Sequence, residues 1–474
     1  MTAPLPSLAR AEWLTRPETQ SVLTALTAAG FSARAVGGCV RNALMGLPVT
    51  DIDIATTARP EQTMAVARAA GMAAVPTGIE HGTVTVVCSH VPFEVTTLRR
   101  DVATDGRRAV VAFTDDWAED AARRDFTMNA LYCTGDGTVF DPLGGFADLD
   151  ARRVRFIGDP AARIREDYLR ILRFFRFHAT YGVSGLDAAG ARACVHLRAG
   201  LRQLSAERVG AEMMKLLVAP RAVAGLTAMF DFGLLVDVLG GVPRLARFTR
   251  LVEIETAITV AGLSRPTPTL ILPPQGGGDA SADRNPALDS GVPSPLKGEG
   301  QDGGGAGKPL PDAALRLAAL AVHGPEDAAR LGGLLRLSRE QQAVLEALTA
   351  MTWRLDAAAT EHAAQVALYR LGAAGYQRRV LMDWAGSGAR ADDANWLSLW
   401  TLPVRLGVPV FPLQGRDLTA LGVAPGPQIG ELLRRLEQRW MDDGFTTSAG
   451  ELRALTLSWC QAPVVSGTQA ERQL

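Results

Sequence analysis

Two aspartates one residue apart, in the run Asp51-Ile52-Asp53-Ile54, are the first residues in this chain whose type and spacing point to chemistry. The alternation reads as a strand, with the isoleucines turned into a core and both carboxylates on the opposite face. Their Cα atoms would then lie roughly 6–7 Å apart, from a rise of about 3.3 Å per residue. Hard divalent cations such as Mg²⁺ take carboxylate oxygens and keep positions open for water and substrate phosphate. Upstream, the apolar run Phe31–Val36 reads as a strand, and Gly37-Gly38 open a helix expected to run to Gly46. A glycine pair at that place leaves backbone N–H groups open to a phosphate, and the helix dipole favours the anion. Alone, a DxD is a solvated turn or edge-strand feature in most proteins, and GG before a helix is common punctuation. Together, and with Arg41 and Asn42 at this spacing, they point to a metal pair and a phosphate cradle in one unit.

The surrounding elements must hold that unit in place. Helical spacing from Glu18 to Gly30 and a second helix from Pro60 to Gly71 flank it. The β-rich runs Gly82–Cys88 and Pro92–Leu98 read as a hairpin. Glu94, Thr96 and Leu98 share one face of its second strand, which offers Glu94 either as a third metal carboxylate or as a surface partner across the strands. A polar segment containing Asp105-Gly106-Arg107-Arg108 reads as a mobile loop whose arginines meet phosphate or water. Ala121 to Leu131 reads as one helix, and a strand pair with a turn follows from Tyr132 to Phe146, closing on Asp141-Pro-Leu-Gly-Gly145.

From Asp159 the sequence turns helical, and aromatic and aliphatic residues alternate with charge through Phe177. Read as a continuous helix, Asp167, Arg170 and Arg173 line up along one face at i, i+3, i+6. Such a stripe is usually a solvated face with weak ion pairs. Here the aromatics crowd the other sides, which implies a half-buried helix with its polar row in a cleft. Helical patterns continue through Val209–Leu217, through Ala222–Val238, and again from Pro311 to about Ser458. Within the last stretch the Pro/Gly turn Gly422–Gly430 leads into a helix Glu431–Trp440 bearing Arg434, Arg435 and Arg439. That turn reads equally as a contact for nucleic-acid phosphate and as an ordinary capped turn.

Composition limits the class of protein. A chain of 474 residues exceeds one core and calls for two to four domains, while 47% hydrophobic and 21% charged residues are ordinary for a globular protein. Lys+Arg 49 against Asp+Glu 50 nearly cancel, so any polyanionic partner must be met by local patches. Five scattered cysteines without a CxxC pair, and no export signal, point to a reducing compartment, read here as the cytoplasm. No apolar run reaches the length of a membrane span. Residues 264–310 are Pro/Gly-rich without periodicity and read as a disordered insertion, because their glycine runs follow no strand and open no helix.

In order, GGCVRNALMG, DIDIAT, HGTVTVV, FEVTTLRRD, RRDFTMNAL, DPLGG and REDYLRILRFFRF resemble the class II tRNA nucleotidyltransferase and bacterial poly(A) polymerase family, within the DNA polymerase beta-like nucleotidyltransferases. The likeness is strong over roughly residues 20–240. It implies an α+β fold: a nucleotidyltransferase head of mixed sheet and helices (1–155), followed by an all-α neck, body and tail. The neck would occupy 156–263, the insertion 264–310, a tRNA-binding helical body and tail 311–463, and a disordered end 464–474.

The resemblance further implies that Asp51 and Asp53 bind Mg²⁺ and that Gly37, Gly38 and Arg41 hold the incoming triphosphate. Arg123, Asp125 and Asn129 match the motif that places ribose and nucleotide, and Asp167 and Arg170 match the pair that reads the base. Arg173 and Arg176 extend the same nucleotide-binding set. Physical chemistry supports the base-reading pair independently. A carboxylate accepts from the exocyclic amine of cytosine or adenine, and a guanidinium donates to the neighbouring ring nitrogen or carbonyl. Uracil and guanine would leave buried polar groups unpaired.

The expected activity is stepwise addition of CCA to a tRNA 3′ end from CTP and ATP, with pyrophosphate leaving. Poly(A) addition, or CC- or A-only addition, uses the same residues. An RNA-binding protein with a dead catalytic domain is disfavoured by the retained Asp51, Asp53, Asp167 and Arg170. No adjacent His-Asp pair is present, so a phosphohydrolase activity is not expected, and the sequence assigns no protein partner.

Overall fold

The computed structural model describes residues 4–105, 108–183, 185–263, 311–350 and 353–461, with side chains at 101–111 and 461 left out of the account. The insertion expected at 264–310 and the tail at 464–474 lie outside the described residues, as do Gly106 and Arg107. The described residues fall into two compact units, one drawn from Met1–Leu245 and Gly277–Glu346, the other from Ala246–Gly276 and Ala347–Leu474.

The first unit opens with α1 (Glu12–Thr15), α2 (Pro17–Ala28), β1 (Ala33–Val36), α3 (Gly38–Leu44), β2 (Asp53–Thr56) and α4 (Pro60–Ala69). Strands β3 (Ala73–Gly78), β4 (Thr83–Cys88) and β5 (Val91–Thr97) follow, then β6 (Arg99–Asp105), β7 (Arg108–Phe113) and α5 (Trp117–Ala122). The short strands β8 (Tyr132–Cys133) and β9 (Val139–Phe140) and helix α6 (Gly145–Asp150) complete the strand-bearing part.

Seven strands form one sheet in the order β3-β4-β5-β2-β1-β8-β9, parallel only between β2 and β5. Ala35, Ile54, Val84, Val86, Phe93 and Val95 are buried on one face, against which α2 and α4 pack. The opposite face is divided. Its β1–β8 end is apolar, with Val36, Ala55 and Tyr132 in a core cluster with Leu98, Ala121 and Ile157. Along one row of cross-strand neighbours, Tyr132, Val36, Asp53, Glu94 and Thr85 follow one another. The row therefore passes from core to an open surface where Glu94 is exposed. Pairing in the sheet thus fixes the carboxylates beside a solvated edge of the same core that stabilises the fold.

Several expected boundaries shift. Asp51 and Ile52 precede β2, because β1 ends at Val36 opposite Asp53 and Gly37 then turns out of the sheet, leaving them no strand partner. Around the expected loop at Asp105–Arg108, β6 and β7 form a two-stranded sheet in which Asp105 pairs with Arg108, while Gly106 and Arg107 lie outside the described residues. The single helix expected over Ala121–Leu131 ends at Ala122. Asp120 draws both following arginines back onto itself, and Phe126 then pairs as an isolated bridge with Phe156 before a 3₁₀ turn at Thr127–Asn129.

Beyond these come α7 (Pro160–Glu166), α8 (Leu169–Tyr181), α9 (Ala188–His196), a 3₁₀ turn at Arg198–Gln203, α10 (Ala206–Leu217), α11 (Ala222–Asp231) and α12 (Leu235–Leu239). The continuous helix expected from Asp159 to Phe177 is broken: Asp167 has φ −155° and ψ 107°, which is extended backbone. Asp167, Arg170 and Arg173 are consequently not one helical stripe. Phe126 and Phe156 stack with Phe174 and Phe177 of α8 at centroid separations of 5.0 to 6.3 Å. Aromatic pairs of this kind contribute about 0.5–1.5 kcal/mol each beyond their area. They lock α8 against the strand-bearing part.

Helices α13 (Leu245–Val260), α14 (Ala313–Ala321), α15 (Pro325–Leu335) and α16 (Arg339–Ala350) are followed by α17 (Glu361–Ser387), α18 (Ala394–Leu406), α19 (Gly415–Ala420), α20 (Pro427–Asp442) and α21 (Ala449–Gln461). In the second unit Trp384 and Trp396 stack at 6.0 Å, and a separate cluster joins Leu418, Leu436, Trp440 and Leu452. The arginines of α20 are partnered locally: Arg434 with Glu431, Arg439 with Asp443, and Arg435 over the Trp459 ring. No described helix is long and apolar enough to cross a membrane.

Candidate active site

Gly37 leaves β1 with φ 73° and ψ −116°, and its amide donates to the Leu131 carbonyl at 3.1 Å. Only glycine adopts that region without strain, so Gly37→Ala is expected to cost about 1–3 kcal/mol of stability and to tilt the start of α3. Urea unfolding measures the first effect, and a raised KM for nucleotide measures the second.

Asp53 is half-buried at the head of β2, and Asp51 is exposed just before it, with Thr50 Oγ1 donating to Asp51 Oδ2 at 3.2 Å. Two solvent-accessible carboxylates at the start of the central strand supply hard oxygen donors, and they suit a cation that completes its shell with phosphate and water. Among the described residues no group of three or more His, Cys, Asp or Glu side chains forms a metal cage. Glu94 is the cross-strand neighbour of Asp53, on the same face.

Arg41 points inward and is only 7% exposed. Its Nη1 donates to Asn129 Oδ1 at 2.6 Å, Nη2 donates to Tyr181 Oη at 2.7 Å, and Nε and Nη2 both reach Asn42 Oδ1. Asn129 Nδ2 in turn donates to Asp125 Oδ1 at 2.8 Å, while Asp125 Oδ2 accepts from both Nε and Nη2 of Arg173. Burial works to raise the Asp125 carboxyl, but Arg173 and the bonds from Asn129 and the Phe126 amide outweigh it and hold the group ionised far below the usual range. One buried chain of charge-assisted bonds therefore runs from the Gly37–Gly38 turn through the RRDFTMN segment to α8.

Arg123 gives Nε and Nη2 to Asp120 Oδ1. Asp120 also accepts from Arg124 and from Tyr132 Oη at 2.8 Å. Burial raises its pKa, yet Arg124, Arg123 and Tyr132 overcome this and bring it from 3.8 down to about 2. A depressed carboxylate stabilises the fold above its unfolded value and loses that contribution as pH falls towards the folded one. The Asp120 contribution, about 2 kcal/mol at 1.36 kcal/mol per pH unit, should thus disappear between about pH 4 and pH 2. Urea unfolding across that window should fall less steeply in Asp120→Asn than in the parent protein.

At the break between α7 and α8, Asp167 Oδ1 accepts from the Leu169 amide at 3.1 Å and Oδ2 from Arg208 Nη2 at 2.7 Å. Arg170 donates to the Arg163 carbonyl at 2.8 Å, to Glu166 Oε2 at 2.5 Å and to the Arg123 carbonyl at 3.4 Å. Arg176 pairs with Glu212 at 2.5 Å, deep in the packing of α8 on α10. Glu212 also lies 3.8 Å from Arg173. The structure therefore ties Arg41, Asp125, Asn129 and Arg173 into one network, links Arg170 to the same segment through the Arg123 carbonyl, and commits Arg176 to α10.

Sequence reasoning missed Asp120, Tyr181, Arg208 and Glu212. Asp120 had a readable signal, since arginines at i+3 and i+4 are in helical reach. Arg208 and Glu212 share a face of an amphipathic helix, but nothing local names their partners.

Residues 33–155 match the family described as the Poly A polymerase head domain, and residues 186–247 match one described as a probable RNA and SrmB-binding site of polymerase A. CCA tRNA nucleotidyltransferase 1, mitochondrial, of Danio rerio is 31% identical over 437 residues, covering 89% of this chain and 86% of that protein. A CCA-adding enzyme of Streptococcus gordonii is 42% identical over 218 residues, 46% of this chain and 53% of that one. Among solved structures, the Bacillus stearothermophilus CCA-adding enzyme in complex with CTP superposes with a TM-score of 0.65 at 25% identity, covering 94% of this chain and 98% of that one. Enzymes of this kind generally use a divalent metal. Likeness sustained over most of both chains, on a sheet whose central strand β2 begins at the expected aspartates, shows that this chain belongs to the CCA tRNA nucleotidyltransferase family.

Proposed function

We propose that the chain adds C, C and A in turn to the 3′ end of tRNA, taking CTP and ATP and releasing pyrophosphate, with Mg²⁺ as the metal held by Asp51 and Asp53. The observation that carries this reading is the pair of aspartates at the start of β2, with the Gly37–Gly38 turn opening α3, whose Arg41 is joined through Asn129 and Asp125 to Arg173 of α8. When bound, the metal lowers the pKa of the attacking hydroxyl and neutralises charge on the phosphates. Glu94, opposite Asp53, is the candidate for a third carboxylate.

The residues of this chain orient the reactants. Gly37 and Gly38 offer the triphosphate a close backbone approach, and Arg41 sits behind them as a fixed positive charge that also holds Asn129. Arg123, Asp125 and Asn129 set the sugar, with Arg173 and Arg176 fixing α8 behind them. Asp167 accepts from the exocyclic amine of cytosine or adenine, and Arg170 donates to the atom beside it. Both Asp167 oxygens already accept one bond, but a carboxylate has about four acceptor positions, so the base amine can be added. The bond from the 3′ oxygen to the α-phosphorus forms as the bond to the pyrophosphate oxygen breaks.

The tRNA body would lie on the helical regions, including the basic helix α20. A cytoplasmic setting is part of the same proposal, supported by five free cysteines. The test is to supply purified protein with tRNA lacking one, two or three terminal nucleotides and with each NTP separately. Growth that stops at CCA supports the reading. An A-ladder on any RNA end replaces it with poly(A) addition, and arrest after CC or addition of A alone replaces it with a partial enzyme.

A further inference from the structure

We infer that Gly200 is a positioning residue for base selectivity, acting through Tyr168. This rests on the reading of Asp167 as the acceptor for the base amine. Gly200 is buried in the 3₁₀ turn Arg198–Gln203, which packs against α8. A Cβ at this position would lie 2.0 Å from Tyr168 Cδ1, 2.1 Å from Cε1 and 2.4 Å from Cγ. Non-bonded carbon atoms need about 3.5–4.0 Å. Rotation about χ2 gives no escape, because Cγ lies on the axis of the ring flip. Any side chain at 200 must therefore displace the root of the Tyr168 ring, which means a new χ1 or a moved backbone.

The backbone at Tyr168 is the break that presents the base-reading pair. On its C-terminal side, Leu169 and Ile171 are buried, and the Ile171 amide donates to the Tyr168 carbonyl at 3.1 Å. On its N-terminal side, Asp167 is extended and its side chain remains 26% exposed. Displacement is thus resisted towards α8 and passed to Asp167, whose carboxylate also accepts from the Leu169 amide. The glycine leaves a slot for the Tyr168 ring, and the ring holds the carboxylate at its working position.

Kinetics of the full chain on a tRNA primer test this. For Gly200→Ala, the ratio of kcat/KM for CTP and ATP over UTP and GTP should fall at least about tenfold, because a displaced Asp167 no longer pairs the amine that distinguishes the bases. In a Tyr168→Ala background, where both the ring and its Cγ are gone, adding Gly200→Ala should change that ratio by less than about threefold, since the two residues act as one contact. Tyr168→Ala alone should also lower the ratio, which keeps the inference testable if Gly200→Ala does not fold.

The inference is overturned if Gly200→Ala keeps the ratio, slows all four nucleotides equally, or has an undiminished effect without the ring. It is equally overturned if Tyr168→Ala alone keeps the ratio. Asp167→Ala, run in parallel, separates the two levels. A ratio unchanged in Asp167→Ala removes the base-reading assignment itself, whereas a ratio lost there but kept in Gly200→Ala removes only the role of Gly200.

Discussion

Asp53→Ala abolishes incorporation of both CTP and ATP while leaving a folded protein. The expected loss is at least about 10³-fold, or about 4 kcal/mol of transition-state stabilisation at 1.36 kcal/mol per tenfold. Folding survives because the strand is held from its other face. Ile54 is fully buried there, and the pairing of Asp53 with Val36 and Glu94 uses backbone that alanine retains. Single-turnover extension of labelled tRNA measures the loss, and circular dichroism measures the fold. Retained catalysis in purified Asp53→Ala protein would refute the metal site. Asp51→Ala should fall in the same class, because in the proposed site two carboxylates would share the metal and neither alone would supply the charge that the phosphates require.

Asp167→Ala has a different signature: nucleotide transfer persists but loses its choice of base. Its ion pair with Arg208 leaves the arginine side chain 41% exposed, so removing the carboxylate strands no buried charge. The cost falls on recognition. A site that pairs a specific amine can discriminate by 10⁴–10⁵-fold, and without the acceptor the four nucleotides should converge to within about tenfold. Arg170→Ala should relax selectivity likewise, with some loss of stability in addition, because Arg170 also ties Glu166 and the Arg163 carbonyl to the end of α7. Comparing kcat/KM for the four nucleotides decides the matter. Unchanged ratios in both variants would reject the base-reading role.

The parts of the site that follow a local rule were legible in the sequence. The alternation of Asp51 to Ile54 identified the β2 strand, and the buried isoleucines agree with it. The glycine pair identified the turn into α3. What lay hidden depends on partners distant along the chain. Asp51 falls outside β2 because β1 ends opposite Asp53, and a strand cannot show where its neighbour stops. Periodicity over 159–177 carries through Asp167, since the apolar pattern of α7 and α8 continues across the break. The feature that stabilises the break, Arg208, lies 41 residues away on α10. Arg41 had the residue type of a phosphate clamp, yet Tyr181 and Asn129 turn it inward. A sequence gives the chemical type of a side chain more readily than its direction.

The proposed function makes chemistry at β2 and letter choice at the α7–α8 break separate, and equilibrium dialysis of the four labelled NTPs against Asp53→Ala protein tests that separation most directly. Retention of CTP and ATP over UTP and GTP, with no product when tRNA is added, is the predicted result. Equal retention of all four nucleotides, or extension of the tRNA at more than about a thousandth of the parent rate, would contradict it.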